Sequence, residues 1–186
     1  MIELAPSNKS GHRRAVFLDR DGVLNRAIIR NGKPYPPASL EELEILPGVP
    51  EALALLKAAG FLLIVVTNQP DVARGAATRA TVDSIHSFLQ TQLSLDEFRV
   101  CFHDDQNNCD CRKPAPGLLL SAASEHGIDL GASFLVGDRW RDIEAGHRAG
   151  CSTLLLDYNY VEPITIEPSA RVKSLIQAAD WILHKS

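Results

Sequence analysis

An excess of positive charge is missing from this chain: 19 lysines and arginines face 23 aspartates and glutamates, giving a net charge of -4 and a pI of about 5.8. Non-specific attachment to a nucleic-acid backbone draws on clustered cations, so a nucleic-acid partner is not expected. Long apolar runs are also lacking. The longest is Phe61-Leu62-Leu63-Ile64-Val65-Val66, far short of the roughly 18 residues that span a bilayer. Met1 to Lys9 carries no basic segment followed by an apolar one, so no secretory signal is evident and a cytoplasmic location is expected. No GxxxxGK[ST] loop occurs, which removes that device for holding a nucleoside triphosphate. No internal repeat or low-complexity tract is visible. What is present is 186 residues, 45% of them apolar and 23% charged, enough for one sizeable core and one domain. Of only four cysteines, Cys101, Cys109 and Cys111 crowd beside His103, which in a cytosolic chain suggests a metal rather than a disulfide framework.

Short branched apolar runs alternate with helical patterns, the signature of a parallel α/β sheet covered on both faces. Strands are expected at Ala15–Leu18, Leu62–Val66, Phe98–Phe102, Phe134–Val136 and Thr153–Leu156. Helices are expected from Pro50 to Ala59, with Ala52, Leu55, Leu56 and Ala59 inward, and from Thr78, with Val82, Ile85 and Leu89 on one stripe. Further helices are expected over Pro116–His126 and Asp142–Ala149, and a last one carrying Val172, Leu175, Ile176, Ala179 and Leu183 on one face. Asn25 to Pro47 is the longest stretch without a regular pattern. A loop of that length in a compact domain is functional or disordered, and its place after the first strand puts it at the ligand-binding edge of such a sheet. It reads as a substrate-facing flap, too short to be a separate cap domain.

The chemistry concentrates at strand ends. Asp19 and Asp21 follow the first strand, spaced to converge on one polar site as the chain turns at Gly22. Asp138 and Asp142 follow another strand, Thr67 ends a third, and Lys113 is available. One carboxylate at a strand end is ordinary, but four with a lysine and a threonine point to a divalent cation and a phosphoryl group. Mg²⁺ takes hard oxygen ligands, and an attacking carboxylate meets a phosphate only when the charge between them is neutralised. A second aspartate can protonate the leaving alcohol and then activate water.

Cys101-x-His103 and Cys109-x-Cys111 offer three thiolates and one imidazole within eleven residues. That is the ligand set of a closed, tetrahedral structural zinc site. Cys151 stands apart and reads as a buried core thiol.

The segments Phe17-Leu18-Asp19-Arg20-Asp21-Gly22-Val23-Leu24-Asn25, Val66-Thr67-Asn68-Gln69, Cys111-Arg112-Lys113-Pro114 and Val136-Gly137-Asp138-Arg139-Trp140-Arg141-Asp142 resemble, in order, the four motifs of the haloacid dehalogenase superfamily. The nearest resemblance is to the branch holding the heptose-bisphosphate and histidinol-phosphate phosphatases. It implies a Rossmann-like three-layer sandwich with a central, mainly parallel sheet and no large cap. It also implies Asp19 as the nucleophile forming an aspartyl-phosphate, Asp21 as general acid/base, and Thr67 and Lys113 on the phosphoryl oxygens. Mg²⁺ would be held by Asp19, the Asp21 carbonyl and Asp138, with Asp142 in or beside that shell. The branch carries a zinc loop before its Arg-Lys-Pro segment, matching Cys101, His103, Cys109 and Cys111.

Specificity would rest with Asn25, Asn68, Arg74, Arg112 and Arg141, together with the flap. Arginine forks suit a second phosphate, whereas Glu41, Glu42 or Asp71 could meet the amine and imidazole of histidinol phosphate. The expectation is a monomeric, Mg²⁺-dependent phosphomonoesterase acting on a small phosphorylated metabolite of the heptose-bisphosphate kind. Histidinol phosphate, another phosphosugar, and a catalytically dead metabolite-binding module are the alternatives. Arg20 is expected to turn away from the metal, and His126 and His147 need no catalytic role.

Overall fold

The computed structural model describes residues 12–30, 32–163 and 165–185. The stretch read above for a secretion signal lies outside them. In chain order the elements are β1 (Ala15–Leu18), β2 (Ile28–Arg30), β3 (Lys33–Tyr35), α1 (Val49–Ala58), β4 (Leu62–Asn68), α2 (Arg79–Gln92) and β5 (Glu97–Cys101). Then follow α3 (Gly117–His126), β6 (Phe134–Gly137), α4 (Trp140–Ala149), β7 (Ser152–Leu156), β8 (Ala170–Val172) and α5 (Leu175–Lys185). Six strands form one sheet in the order β5-β4-β1-β6-β7-β8, and every neighbouring pair is parallel.

The burial explains why the strands read as unbroken apolar runs. Alternate side chains of one strand enter different cores. Val16, Leu18, Leu63, Val65 and Val136 join α1, α2 and α5 on one face. Ala15, Phe17, Ile64, Val66 and Leu135 join α3 and α4 on the other. No helix among the described residues is long and apolar enough to cross a membrane.

Several local expectations shift. In α1 the buried residues are Val49, Ala52, Leu53 and Leu56, and Leu55 is 44% exposed. Once Val49 opens the helix, the i, i+3, i+4, i+7 stripe falls on Leu53, and Leu55 turns to the flank. Val172 belongs to β8, paired with Leu156, and not to the last helix. The fourth helix starts at Trp140, one turn short of which the strand ends, so Asp142 lies inside its first turn. β4 runs on through Thr67 and Asn68, and β5 spans 97–101 rather than 98–102. The stretch from Asn25 to Pro47 contains the antiparallel β2–β3 hairpin, with Ile29 opposite Pro34. Strands of three residues with a proline in one of them carry no readable alternation. Cys151 is buried, as expected.

Candidate active site

The strand order places β1 between β4 and β6, the two directions in which the chain winds outward. In such sheets ligands bind beyond the carboxyl ends of the strands at this switch. Asp19 sits just past β1 and Asp138 just past β6, and the Asp19 N–H donates to the Val136 carbonyl at 2.9 Å, tying the two ends together. Glycines permit the close approach. A β-carbon on Gly137 would lie 2.2 Å from that of Asp142, and one on Gly22, whose φ is +89°, would lie 2.2 Å from an Asp138 oxygen. Each glycine makes room for a carboxylate.

Asp19, Asp138 and Asp142 are buried, and each offers an oxygen within 4.8 Å of the others. The one cation paired among them is Lys113, whose Nζ donates to Asp19 Oδ1 at 2.6 Å, Asp142 Oδ1 at 2.5 Å and the Val66 carbonyl at 2.7 Å. Burial opposes the lysine's charge, but Asp142 and Asp19 outweigh it and raise its pKa. Burial pushes Asp19 up to about 7, against the pull of Lys113 and with repulsion from Asp142 and Asp21. Asp138 is raised well above the carboxylate range by burial first, then by Asp19 and Asp142.

The oxygens differ in their partners. Asp142 spends Oδ1 on Lys113 and Oδ2 on the Arg139 N–H at 3.1 Å. Among the described residues neither Asp138 oxygen has a hydrogen-bond partner, although Tyr160 lies close enough for the Asp138 charge to add to the burial that raises the tyrosine's pKa. Arg139, the nearest other cation, is taken by Glu162. With all three carboxylates ionised, one ammonium would leave two negative charges uncompensated, a repulsion that adds to the burial raising Asp19 and Asp138. A divalent cation with oxygen ligands fits both that charge and the Asp138 oxygens.

Asp21 stands apart from this trio. Its carboxylate accepts from Asn25 Nδ2 at 3.0 Å and Gln69 Nε2 at 2.9 Å, and Arg20 donates to it from Nε and Nη2 at 3.0–3.2 Å. Gln69 Nε2 also donates to Thr67 Oγ1 at 2.9 Å. That contact fills an acceptor site of the hydroxyl and leaves its proton available. Thr67 and Asn25 are buried, and neither lines the cavity above the strand ends. Asn25, expected to face substrate, lies beneath Asp21. Asn68 does line the cavity, but its amide is committed to Lys113, donating to the carbonyl and accepting from the N–H, both at 3.0 Å.

The cavity holds about 430 Å³ and is walled by Asp19, Asp21, Lys113 and Asp138, by Lys33 to Pro36 of the hairpin, and by Arg74, Arg112 and Arg141. The three arginines converge on Asp105: Arg112 Nε at 3.0 Å, Arg141 Nη1 at 3.2 Å and Arg74 Nη2 at 3.7 Å. Glu41 and Glu42 do not line it, and Asp71 does, paired with Arg74 at 3.6 Å.

Beside the cavity, Cys101 and Cys111 Sγ are 3.1 Å apart, Cys109 and Cys111 3.4 Å, Cys101 and Cys109 3.7 Å, and His103 Nδ1 is 3.3 Å from Cys111. No disulfide joins them. Tetrahedral zinc with thiolate bonds near 2.3 Å separates its sulfurs by about 3.7 Å, so the cluster has that shape, slightly contracted.

Sequence reasoning missed Gln69 and His86 and undervalued Arg20. Gln69 is two residues beyond Thr67, so strand alternation was the available signal for it. His86 sits on α2, distant in sequence, and no local pattern marks it. It is buried, its Nε2 lies 3.1 Å from Arg20 Nη1, and its ring stacks on Phe98 at 4.6 Å. Burial and the Arg20 charge push His86 down to about 4, Asp21 pulling weakly the other way. The unfolded chain protonates this histidine below about 6.5 and the folded chain only below about 4. Stability from His86 is therefore intact at pH 7.5 and falls as the pH drops, by about 2 kcal/mol at pH 5. Urea denaturation at the two pH values should show a larger loss for the parent than for His86→Leu. Equal losses would refute a neutral buried His86.

Residues 110–175 match the HAD-hydrolase-like family model. The D-glycero-beta-D-manno-heptose-1,7-bisphosphate 7-phosphatase of Escherichia coli K12 is 37% identical, with 91% of this chain and 88% of that protein covered. Its counterpart from Helicobacter pylori J99 is 36% identical, with 91% and 97% covered. Among solved structures, the D,D-heptose 1,7-bisphosphate phosphatase of B. bronchiseptica, complexed with magnesium and phosphate, superposes with a TM-score of 0.79 at 30% identity, over 93% of this chain and 99% of that one. Likeness of that extent, over nearly the whole of both chains, places this chain in the haloacid dehalogenase superfamily of phosphatases, within the family of the heptose-bisphosphate 7-phosphatases.

Proposed function

We propose that the protein removes the 7-phosphate of D-glycero-D-manno-heptose 1,7-bisphosphate by way of an aspartyl-phosphate. The single observation that carries the reading is the set of three buried carboxylates around one ammonium, Lys113, with the Asp138 oxygens lacking a hydrogen-bond partner among the described residues. Asp138, Asp19 and the Asp21 carbonyl would hold Mg²⁺. Asp142, both of whose oxygens have partners in the chain, would support it from the next position out. Bound there, the cation neutralises phosphoryl charge so that a carboxylate can approach.

The chain's residues then divide the work. Asp19 attacks phosphorus with a carboxylate oxygen and becomes the acyl phosphate. Lys113 holds phosphoryl oxygens, and Thr67, buried just outside the cavity wall, is proposed to reach one with its free hydroxyl proton once the phosphoryl group sits at Asp19. Asp21 delivers a proton to the departing sugar oxygen, then takes one from the water that attacks the same phosphorus and frees Asp19. The Lys33–Pro36 hairpin is proposed as the substrate flap of a single domain.

Arg74, Arg112 and Arg141 are proposed to receive the second phosphate. Their convergence on Asp105 supports this, because guanidinium groups held together by a carboxylate present donors in the arrangement a phosphate uses. Histidinol phosphate would bring a cationic head to the same wall. We further propose that Cys101, His103, Cys109 and Cys111 bind one structural Zn²⁺, supported by the near-tetrahedral spacing of their ligand atoms.

The test compares kcat/KM for α- and β-heptose 1,7-bisphosphates, their monophosphates and histidinol phosphate at one Mg²⁺ concentration, with the released phosphate located by product analysis. A bisphosphate should exceed histidinol phosphate by about 100-fold or more, since the arginine wall attracts a second phosphate and repels a cationic head. Efficient histidinol-phosphate turnover with negligible bisphosphate turnover would reject the substrate and leave the phosphoryl chemistry in place.

A further inference from the structure

Arg20 is the largest side chain buried without exposure in the described molecule. A guanidinium out of water needs partners for its donors and its charge. It has two. Its Nε and Nη2 straddle the Asp21 carboxylate, each within 3.0–3.2 Å of both oxygens. Its Nη1 meets His86 Nε2 at 3.1 Å. Arginine can only donate, so the histidine nitrogen accepts and the ring proton sits on Nδ1. His86 is itself fixed by α2 and by its stack on Phe98 of β5. A chain of contacts thus runs from β5 through His86 and Arg20 to the back of Asp21, while Asp21 faces the cavity.

We infer that Arg20 and His86 are positioning residues that set the orientation of the Asp21 carboxylate for proton delivery to the leaving oxygen. The inference rests on the reading of Asp21 as the general acid. Asn25 holds Oδ1 and Gln69 holds Oδ2, so the two amides share with Arg20 the holding of the carboxylate. Arg20 contacts both oxygens at once, and His86 stops the guanidinium from sliding away.

A purely stabilising ion pair and a positioning device differ in one readout. Proton delivery matters when the leaving oxygen is a sugar alkoxide and matters little when it is a nitrophenolate. The parameter kcat/KM covers events up to the formation of aspartyl-phosphate and leaves out its hydrolysis. It should therefore be measured with heptose 1,7-bisphosphate and with p-nitrophenyl phosphate for the magnesium-loaded parent, Asp21→Asn, His86→Leu, His86→Gln and Arg20→Lys. His86→Leu is expected to lose about tenfold more on the sugar phosphate than on the aryl phosphate, a part of the roughly 10²–10⁴ that a general acid contributes. Arg20→Lys should show the same selectivity, and His86→Gln, whose amide oxygen can accept from Arg20, should recover most of it. Thermal melts establish that each variant is folded, and the exchange of His86 keeps the test open if Arg20→Lys is not. Equal losses on both substrates for the His86 and Arg20 variants, with Asp21→Asn selective, would overturn the inference alone. Equal losses for Asp21→Asn itself would overturn the reading beneath it.

Discussion

Replacement of Asp19 by Asn is expected to abolish turnover, by about four orders of magnitude or more, and with it any trapped aspartyl-phosphate. Asparagine keeps the size of the side chain and loses the nucleophilic charge, so the defect lies in chemistry rather than packing. The geometry isolates this prediction. Asp19 and Asp142 both line the cavity and both accept from Lys113, but Asp142 gives its second oxygen to the Arg139 N–H, whereas Asp19 gives Lys113 only one of its two. Retained folding is checked by thermal melting, and covalent capture by transfer of labelled phosphate from substrate to protein. Normal turnover by a folded, magnesium-loaded Asp19→Asn protein would assign the nucleophile elsewhere.

Loss of the proposed zinc is expected to have the second largest effect, and an uneven one. Protein prepared without added zinc should contain about one zinc per chain. Cys111→Ser or chelation should cost about 2 kcal/mol of stability, a fall in Tm of about 4–8 °C for a domain of this size. The kinetic effect follows from what each neighbour leans on. Lys113 is anchored outside the cysteine loop, by Asn68 and the Val66 carbonyl. Arg112 is anchored within it, by the His103 carbonyl at 3.3 Å and Asp105 at 3.0 Å. Removal of the metal should therefore raise KM for the bisphosphate several-fold while kcat falls less, with a smaller change for p-nitrophenyl phosphate, which has nothing for Arg112 to hold. A zinc-free protein with an ordered loop and full activity would defeat the structural role.

The residues differ in how much of their role can be read without the fold. Asp19, Asp21, Thr67, Asp138 and the four metal-binding candidates stand out in the sequence because each lies at the end of an apolar strand or within a tight Cys/His spacing, and Lys113 stands out through the resemblance carried by Cys111-Arg112-Lys113-Pro114. A parallel strand points its next residues into the crevice whatever surrounds it, and thiolates two to ten residues apart can meet whatever the rest of the chain does. The doubly buried strands are legible for a similar reason, as apolar runs too short for a membrane and flanked by helical stripes.

Other features arise only from contacts between distant segments. Leu53 rather than Leu55 faces the core because the start of α1, set by its packing on α5 and the sheet, rotates the stripe. The β2–β3 hairpin takes its place through cross-strand pairing in segments of three residues, below the length at which alternation is visible. Composition and spacing determined the fold class, the parallel sheet, the phosphoryl chemistry and the shape of the cysteine site, since these depend on local periodicity and on the charge and softness of ligand atoms. Tertiary structure alone decided that Asn25 and Asn68 brace the site, that three arginines share Asp105, and that His86 stands behind Arg20 and Asp21. Those relations include pairs 31, 45 and 66 positions apart, and separations of that kind are set by packing, which leaves no trace in any short stretch of sequence.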